Sequence, residues 1–129
     1  MKLVITGGAG FFGFHISRAF PNADLVLLDL EEIPDSELPS EARTVERVQA
    51  DVRNRTALRE AFANADAIIH AAAALPLWKA TEIRSVNLDG TRAVLEVAKE
   101  VGVPRVVHIS STAVYGIPDH HPLNEEDAL

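Results

Sequence analysis

A short apolar run that breaks into a glycine-rich turn constrains the fold of this chain more than any other feature. The stretch is residues 2–13, KLVITGGAGFFG, in which Gly7, Gly10 and Gly13 stand three residues apart. Apolar residues at helical spacing follow the turn. This order predicts a buried strand that leads through a tight turn into the N-terminus of a helix. Gly7 can adopt the positive φ angle of such a turn, and Gly13 lets the helix pack closely against the strand.

The same turn is suited to binding a pyrophosphate. Free N–H groups and the positive end of the helix dipole face it, and Gly10 allows close approach of the backbone to a ligand. Asp29 ends the next apolar run about 20 residues after the first glycine, where a carboxylate can accept hydrogen bonds from a ribose diol. A plain βαβ unit with a glycine turn and a capping aspartate is the alternative. The combination of strand, turn, helix and acid favours a dinucleotide site.

Composition excludes several classes of function. The 129 residues suffice for one domain with a hydrophobic core. A net charge of -7 argues against a general affinity for nucleic acid or an anionic membrane. The chain has no cysteine, and therefore no disulfide or thiolate ligand, which fits a cytoplasmic location. The apolar run after Lys2 is too short for a signal peptide, and no stretch is long enough to span a bilayer.

Short apolar runs alternate with helical patterns along the whole chain. We expect strands at residues 2–6, 24–29, 45–50, 67–70 and 106–110. We expect helices at about residues 10–20, from Asn54 or Thr56 to about 64, and from Trp78 or Thr81 to 101. Residues 31–44 are predicted to form a solvated loop, and residues 111–129 an irregular segment. Strands joined by helices form a parallel sheet that is covered on both faces. Right-handed crossovers then predict an α/β, Rossmann-type doubly wound fold with strand order 3-2-1-4-5.

Six short segments stand in a characteristic order: TGGAGFFG, LLD, ADVR, IHAAA, VNLDGT and HISSTAVYG. In this order and spacing they resemble the extended short-chain dehydrogenase/reductases, and most of all the branch of NAD-dependent epimerase/dehydratases. The resemblance covers residues 1–129 as one NAD(P)-binding Rossmann domain. It implies an enzyme that transfers hydride to or from a nucleotide sugar or a related alcohol or ketone. It also implies a homodimer in which the helix near residues 81–101 forms part of the subunit contact.

The resemblance further implies roles for single residues. The implied cofactor contacts are Gly7, Gly10, Phe11, Phe12, Gly13, Asp29, Asp51, Val52, Ala71, Ala72, Ala73, Asn87 and Ser110. In the family, Asp29 would hold the adenosine ribose, and Asp51 and Val52 would flank the adenine. Ser111, four residues before Tyr115, matches the catalytic serine or threonine. A hydroxyl there would hold a substrate alcohol or ketone while hydride passes.

The implied cofactor is NAD rather than NADP. Leu30 and Glu31 follow Asp29, and neither arginine nor lysine stands there to meet a 2′-phosphate.

Several of these assignments have structural alternatives. Asp51 precedes a helix and could be its cap, and Asn87 could be an ordinary polar residue within a helix. The small residues 71–74 suit both close packing and close approach of a cofactor. Ser110 and Ser111 could be turn residues, and the residues themselves do not decide which hydroxyl faces the cleft. The resemblance selects Ser111.

Two departures from the family pattern bear on function. The family's Tyr-x-x-x-Lys motif does not occur by Leu129, because Tyr115 is followed four residues later by Asp119. We therefore expect the chain to be the N-terminal portion of a longer enzyme and to be inactive alone. The segment ALPLWKATEIRS is short and apolar, which leaves room for a 3β-hydroxysteroid dehydrogenase-like or dihydroflavonol reductase-like enzyme with a hydrophobic substrate. Packing of Leu75, Leu77 and Trp78 against the core or in a subunit contact is preferred over contact with substrate. A non-catalytic dinucleotide sensor is the alternative from another class.

The five histidines do not predict a metal site. His120 and His121 are adjacent, so they would point opposite ways on a strand, and no helical spacing of ligands occurs. His70 ends a predicted strand beside the cleft, and we expect it to be packed or hydrogen-bonded there rather than catalytic.

Overall fold

The computed structural model describes residues 1–117 and 120–127. One parallel sheet is formed by the strands β1 (Lys2–Thr6), β2 (Asp24–Asp29), β3 (Thr44–Gln49), β4 (Ala67–His70) and β5 (Val106–His108). Its strand order is β3-β2-β1-β4-β5, which confirms the predicted Rossmann-type topology. Of the segment predicted to be irregular, Pro118, Asp119, Ala128 and Leu129 lie outside the described residues.

Helices and short helical turns connect the strands. The α-helices are α1 (Phe11–Arg18), α2 (Arg55–Phe62), α3 (Ala80–Arg84) and α4 (Thr91–Glu100). A π-helical segment, Ser85–Gly90, joins α3 to α4, and 3₁₀ turns occur at Asp35–Glu37 and Thr112–Tyr115. None of the described helices is long and apolar enough to cross a membrane.

Alternate residues of the central strands feed two separate hydrophobic layers. In β1, Leu3 and Ile5 belong to the layer under α1, whereas Val4 belongs to the layer under α2 and α4. Two layers form because side chains alternate across a strand and each face of this sheet meets a helix. Phe62 and Val94 are fully buried in the second layer. The carboxyl ends of the strands are left open at one edge of this sandwich.

Three features differ from the predicted elements. The helix predicted up to residue 101 as one regular helix carries the π segment, a feature that often lies near functional sites. Helix α2 is capped by Asn54, whose Oδ1 accepts from Thr56 N and Ala57 N at 3.2 Å each, so Asp51 is not its cap. Strand β5 ends at His108, two residues before the predicted end at Ser110.

Candidate cofactor site

A cleft of about 720 Å³ opens at the carboxyl ends of β1, β2 and β4. Ten of the predicted cofactor residues line it: Gly7, Gly10, Phe11, Phe12, Asp29, Asp51, Val52, Ala71, Ala72 and Ala73. Four predicted site residues do not line it: Gly13, Asn87, Ser110 and Ser111. The cleft lies where the strand order reverses, which is the usual ligand position in an open α/β sheet. Whether these residues bind a cofactor stays a prediction.

Gly7 forms the tight turn between β1 and α1. Its φ angle is +77°, a conformation that favours glycine. A side-chain Cβ at Gly7 would lie 2.8 Å from Ala72 N and 2.9 Å from the carbonyl carbon of Ala71. The turn after β1 therefore lies directly against residues 71–74, the segment after β4. This contact forms the floor of the cleft, and the rest of the segment forms one wall.

Gly13 and Gly10 differ in what surrounds them. A Cβ at Gly13 would lie 2.2 Å from Gly7 O, so the protein's own packing requires glycine there. Gly10 has an extended backbone, with φ -77° and ψ 166°, and a Cβ there would meet only Gly7 O at 3.3 Å. Neither backbone conformation nor internal packing explains a glycine at residue 10. The space above it opens into the cleft.

The first turn of α1 presents unpaired backbone donors beside Gly10. The first hydrogen bond of the helix runs from Phe14 N to Gly10 O at 2.9 Å. Within the described part of the chain, the amides of Phe11, Phe12 and Gly13 have no hydrogen-bond acceptor. The helix dipole adds partial positive charge at this end. The geometry fits an anionic group such as a pyrophosphate.

Asp29 joins the glycine turn to the loop after β2. Its Oδ2 accepts from Ala9 N at 2.9 Å, and its Oδ1 accepts from Glu31 N at 3.0 Å. Glu32 and Glu37 line the same part of the cleft, and no lysine or arginine is among the described lining residues. This part of the cleft is suited to a neutral, hydroxyl-bearing group, because each carboxylate oxygen can accept more than one hydrogen bond.

Asp51 and Val52 form the wall next to α2. Asp51 Oδ1 accepts from the backbone N of Arg53 at 2.8 Å and from its Nε at 2.9 Å. Hydrogen bonds from the Arg53 side chain hold the pKa of Asp51 below its usual value, so the carboxyl group is ionised at neutral pH. Gly90 lets the π segment sit against Val52, because a Cβ there would lie 2.8 Å from Val52 Cγ2. Sequence analysis missed Gly90, although it stands in the VNLDGT segment.

Asn87 holds the opposite wall without lining the cleft. Its Oδ1 accepts from Ala74 N at 2.7 Å, and its Nδ2 donates to Ala74 O at 3.4 Å. Asn87 is therefore not an ordinary polar residue of a helix, because it ties the π segment to the chain that follows β4. Its action on the cleft is indirect, through the backbone of Ala74.

Ser110 and Ser111 are exposed beyond the end of β5. Ser111 Oγ accepts from Ala113 N at 3.1 Å and so caps the 3₁₀ turn Thr112–Tyr115. In this arrangement Ser111 acts as a turn residue, and its catalytic role stays a prediction. Among the described residues, no group of three or more histidine, aspartate or glutamate side chains is placed to hold a metal ion.

His70 is buried beneath the floor of the cleft, with 1% of its surface exposed. Its Nδ1 hydrogen-bonds with Thr6 Oγ1 at 2.7 Å, and its Nε2 with Thr91 Oγ1 at 3.0 Å. The prediction that His70 is packed and hydrogen-bonded is confirmed. Burial and, to a smaller extent, the neighbouring His108 lower the pKa of His70 to about 4. Sequence analysis did not identify Thr6 or Thr91 as its partners.

The buried imidazole predicts a loss of stability in mild acid. An unfolded histidine titrates near pH 6.5, and His70 in the folded protein near pH 4. Between these values the unfolded chain binds a proton that the folded protein does not, so stability falls as the pH falls through this window. We expect a loss of about 2–3 kcal/mol between about pH 7 and about pH 4.5, measured by urea unfolding.

The variant His70→Gln isolates this contribution from that of the carboxylates, because only the difference from wild type reports on His70. We expect its stability to depend less steeply on pH, whereas His15→Gln, at an exposed position, should keep the wild-type slope. Equal slopes in wild type and His70→Gln would contradict a neutral buried imidazole.

Comparison with known proteins places the cleft in context. The model of the NAD dependent epimerase/dehydratase family matches residues 3–129. A UDP-glucose 4-epimerase from Bifidobacterium longum, crystallised with NAD+ and UDP, has a TM-score of 0.87 and 29% identity over 98% of this chain and 42% of its own. The dTDP-glucose 4,6-dehydratase DesIV from Streptomyces venezuelae, crystallised with NAD, has a TM-score of 0.86 and 30% identity over 100% of this chain and 45% of its own.

A curated relative belongs to another branch. The 3 beta-hydroxysteroid dehydrogenase/Delta 5-->4-isomerase of vaccinia virus (strain Western Reserve) is 31% identical over 124 residues, which are 91% of this chain and 35% of the relative. The chain thus spans less than half the length of the relatives that it matches.

Proposed function

Because the chain belongs to the NAD-dependent epimerase/dehydratase family, we propose that it is the NAD-binding portion of an epimerase or dehydratase that acts on a nucleotide sugar. One observation carries the proposal. Unpaired amides at the start of α1 face a cleft beside Gly10, and nothing in the protein itself requires glycine there. A ligand that lies against the backbone of Gly10 explains both features.

The residues of the cleft fit NAD along its length. The amides of Phe11 and Phe12, which line the cleft, would hold the pyrophosphate. Asp29 would accept hydrogen bonds from the adenosine ribose, and the wall formed by Asp51 and Val52 would flank the adenine. When bound, NAD supplies a site that accepts and returns hydride, and the protein supplies orientation and electrostatics.

Acidic side chains at the ribose end favour NAD over NADP. Asp29, Glu31, Glu32 and Glu37 all line this part of the cleft. A 2′-phosphate would bring further negative charge against them, with no described lysine or arginine of the cleft to compensate. We expect NADP to bind more weakly than NAD.

A hydrophobic alcohol or ketone is the second candidate substrate. Leu75 and Trp78 line the cleft and remain partly exposed, with 62% and 43% of their surfaces accessible. Apolar surface at the mouth of a cleft suits an apolar substrate. The similarity to the vaccinia virus 3 beta-hydroxysteroid dehydrogenase/isomerase supports this alternative.

Catalysis requires more than this chain provides. The sequence contains one tyrosine, Tyr115, and Asp119 rather than lysine stands four residues after it. We propose that the 129 residues bind the dinucleotide without turning over substrate, and that Ser111 holds the substrate hydroxyl or carbonyl in the active enzyme.

We also propose a homodimer through the helix of residues 80–100, where Leu88 and Leu95 are exposed.

Calorimetric titration with NAD and NADP tests the proposal, after an assay for dinucleotide retained through purification. Tightly held NAD supports an epimerase or dehydratase, because the cofactor of a redox-neutral reaction is regenerated in each turnover. Weak, exchangeable binding of NAD supports a dehydrogenase or reductase. A protein that binds neither dinucleotide contradicts the assignment of the glycine turn.

A further inference from the structure

Three polar side chains, two of them buried and one half-buried, form a network under the cleft floor. Thr6, with 0% exposure, ends β1; His70, with 1%, ends β4; and Thr91 begins α4. The imidazole joins the two hydroxyls through contacts of 2.7 Å to Thr6 and 3.0 Å to Thr91. Apolar side chains of the same shape could replace paired buried polar groups at little or no cost in stability. The network therefore calls for a reason beyond packing.

The network ends on the backbone of the cleft wall. Ala72 N donates to Thr6 Oγ1 at 3.3 Å, so the network extends from α4 through His70 and Thr6 to this amide. The same stretch of backbone packs closely against the glycine turn: a Cβ at Gly7 would lie only 2.8 Å from Ala72 N. A shift of Ala72 would thus alter the floor of the cleft.

The π segment and α4 hold the inner wall at two points. Asn87 binds the backbone of Ala74 at one end of the wall, and Thr91 acts on Ala72 at the other through His70 and Thr6. Ala73, between these points, lines the cleft. Residues 71–74 form neither helix nor strand. Ala71 N still donates to Thr6 O at 3.1 Å, whereas the amides of Ala72 and Ala74 donate to the side chains of Thr6 and Asn87.

We propose that Thr6, His70 and Thr91 are positioning residues that hold the wall of residues 71–74 in the conformation that receives the dinucleotide. The proposal rests on NAD binding in this cleft. It assigns a function to His70 in which the imidazole contacts no ligand. The hydroxyl of Thr91 orients the ring, the ring orients Thr6, and Thr6 fixes the amide of Ala72.

Substitution of Thr91 tests the proposal, because valine has nearly the shape of threonine and lacks only the hydroxyl. Two quantities are measured: the dissociation constant for NAD by calorimetry, and hydrogen exchange of single amides by NMR. For Thr91→Val we expect NAD affinity to fall about fivefold to tenfold, as for one lost hydrogen bond. The Ala72 amide should exchange about tenfold faster, while the amide of Val26 in β2 exchanges as in wild type.

Two further variants separate positioning from general stability. Thr91→Ser restores the hydroxyl and should restore both measured values. Thr56→Val makes the same chemical change at an exposed residue of α2 and should alter neither value.

Three results are decisive against one proposal or the other. Unchanged Ala72 exchange and unchanged NAD affinity in Thr91→Val would overturn the positioning role. Exchange that rises equally at Ala72 and Val26 would overturn it too, because it would show a loss of global stability alone. A wild-type protein that does not bind NAD would refute the proposed function, while the Ala72 exchange rate would still show whether the network orders the wall.

Discussion

Replacing Gly10 by valine is expected to abolish NAD binding while the sheet stays folded. The backbone of Gly10 is extended, and a Cβ there meets only Gly7 O at 3.3 Å, so a side chain requires this carbonyl to move by only a few tenths of an ångström. The same side chain would fill the space beside the unpaired amides of Phe11 and Phe12. We expect calorimetry to show a loss of at least ~100-fold in NAD affinity, or about 3 kcal/mol. The midpoint of urea unfolding should stay close to that of wild type.

Gly13→Ala is the matched comparison, because it adds a side chain to the same turn at a position where the protein has no space for one. Its Cβ would lie 2.2 Å from Gly7 O, so the turn itself must move. We expect this variant to lose both stability and NAD binding, in contrast to Gly10→Val. Near-wild-type NAD affinity in folded Gly10→Val would show that no ligand lies against this backbone.

Replacing Asp29 by alanine is expected to weaken NAD binding and to reduce the preference for NAD over NADP. The carboxylate lines the cleft where we propose that the ribose binds, and its loss removes both a hydrogen-bond acceptor and a negative charge that would repel a 2′-phosphate. We expect NAD affinity to fall about tenfold or more. The measurement is the pair of dissociation constants for NAD and NADP.

The ratio of the two constants isolates the ribose contact. Asp29 also accepts hydrogen bonds from Ala9 N and Glu31 N, so the alanine variant loosens the glycine turn and the loop after β2. A looser turn weakens NAD and NADP alike and leaves their ratio unchanged. The control Glu46→Ala removes an exposed acid of β3 outside the cleft and should change neither constant. A constant ratio in Asp29→Ala would contradict the assignment of Asp29 to the ribose.

The central strands could be predicted residue by residue. The bounds of β1, β2 and β4 agree with those expected from sequence, because strands buried on both faces read as continuous apolar runs. Glycine after β1 and the acid at the end of β2 mark where the backbone leaves the sheet. Strand β3 lies one residue earlier than predicted at both ends, and β5 ends two residues earlier than predicted. Both strands are more exposed, so their hydrophobic pattern is weaker.

Side-chain partners across the sequence were beyond the reach of local patterns. His70 and Thr91 stand 21 residues apart, and His70 and Thr6 stand 64 apart. Their pairing depends on the parallel register of β1 with β4 and on where α4 crosses the sheet. The pattern of residues 78–101 indicated a helix, yet the π segment within it depends on how Asn87 and Gly90 meet Ala74 and Val52.

By itself, the sequence determined the fold class, the strand order, the glycine turn and the position of the acid that ends β2. These features depend on hydrophobic periodicity and on the special backbone geometry of glycine, and both are local properties of the chain. Only the tertiary structure decided that a Cβ at Gly10 would meet a single backbone atom at 3.3 Å, whereas a Cβ at Gly13 would lie 2.2 Å from Gly7 O. It also decided that Ser111 caps a turn and that His70 supports the cleft floor. These outcomes depend on distances between distant parts of the chain, which packing sets and a linear pattern does not contain.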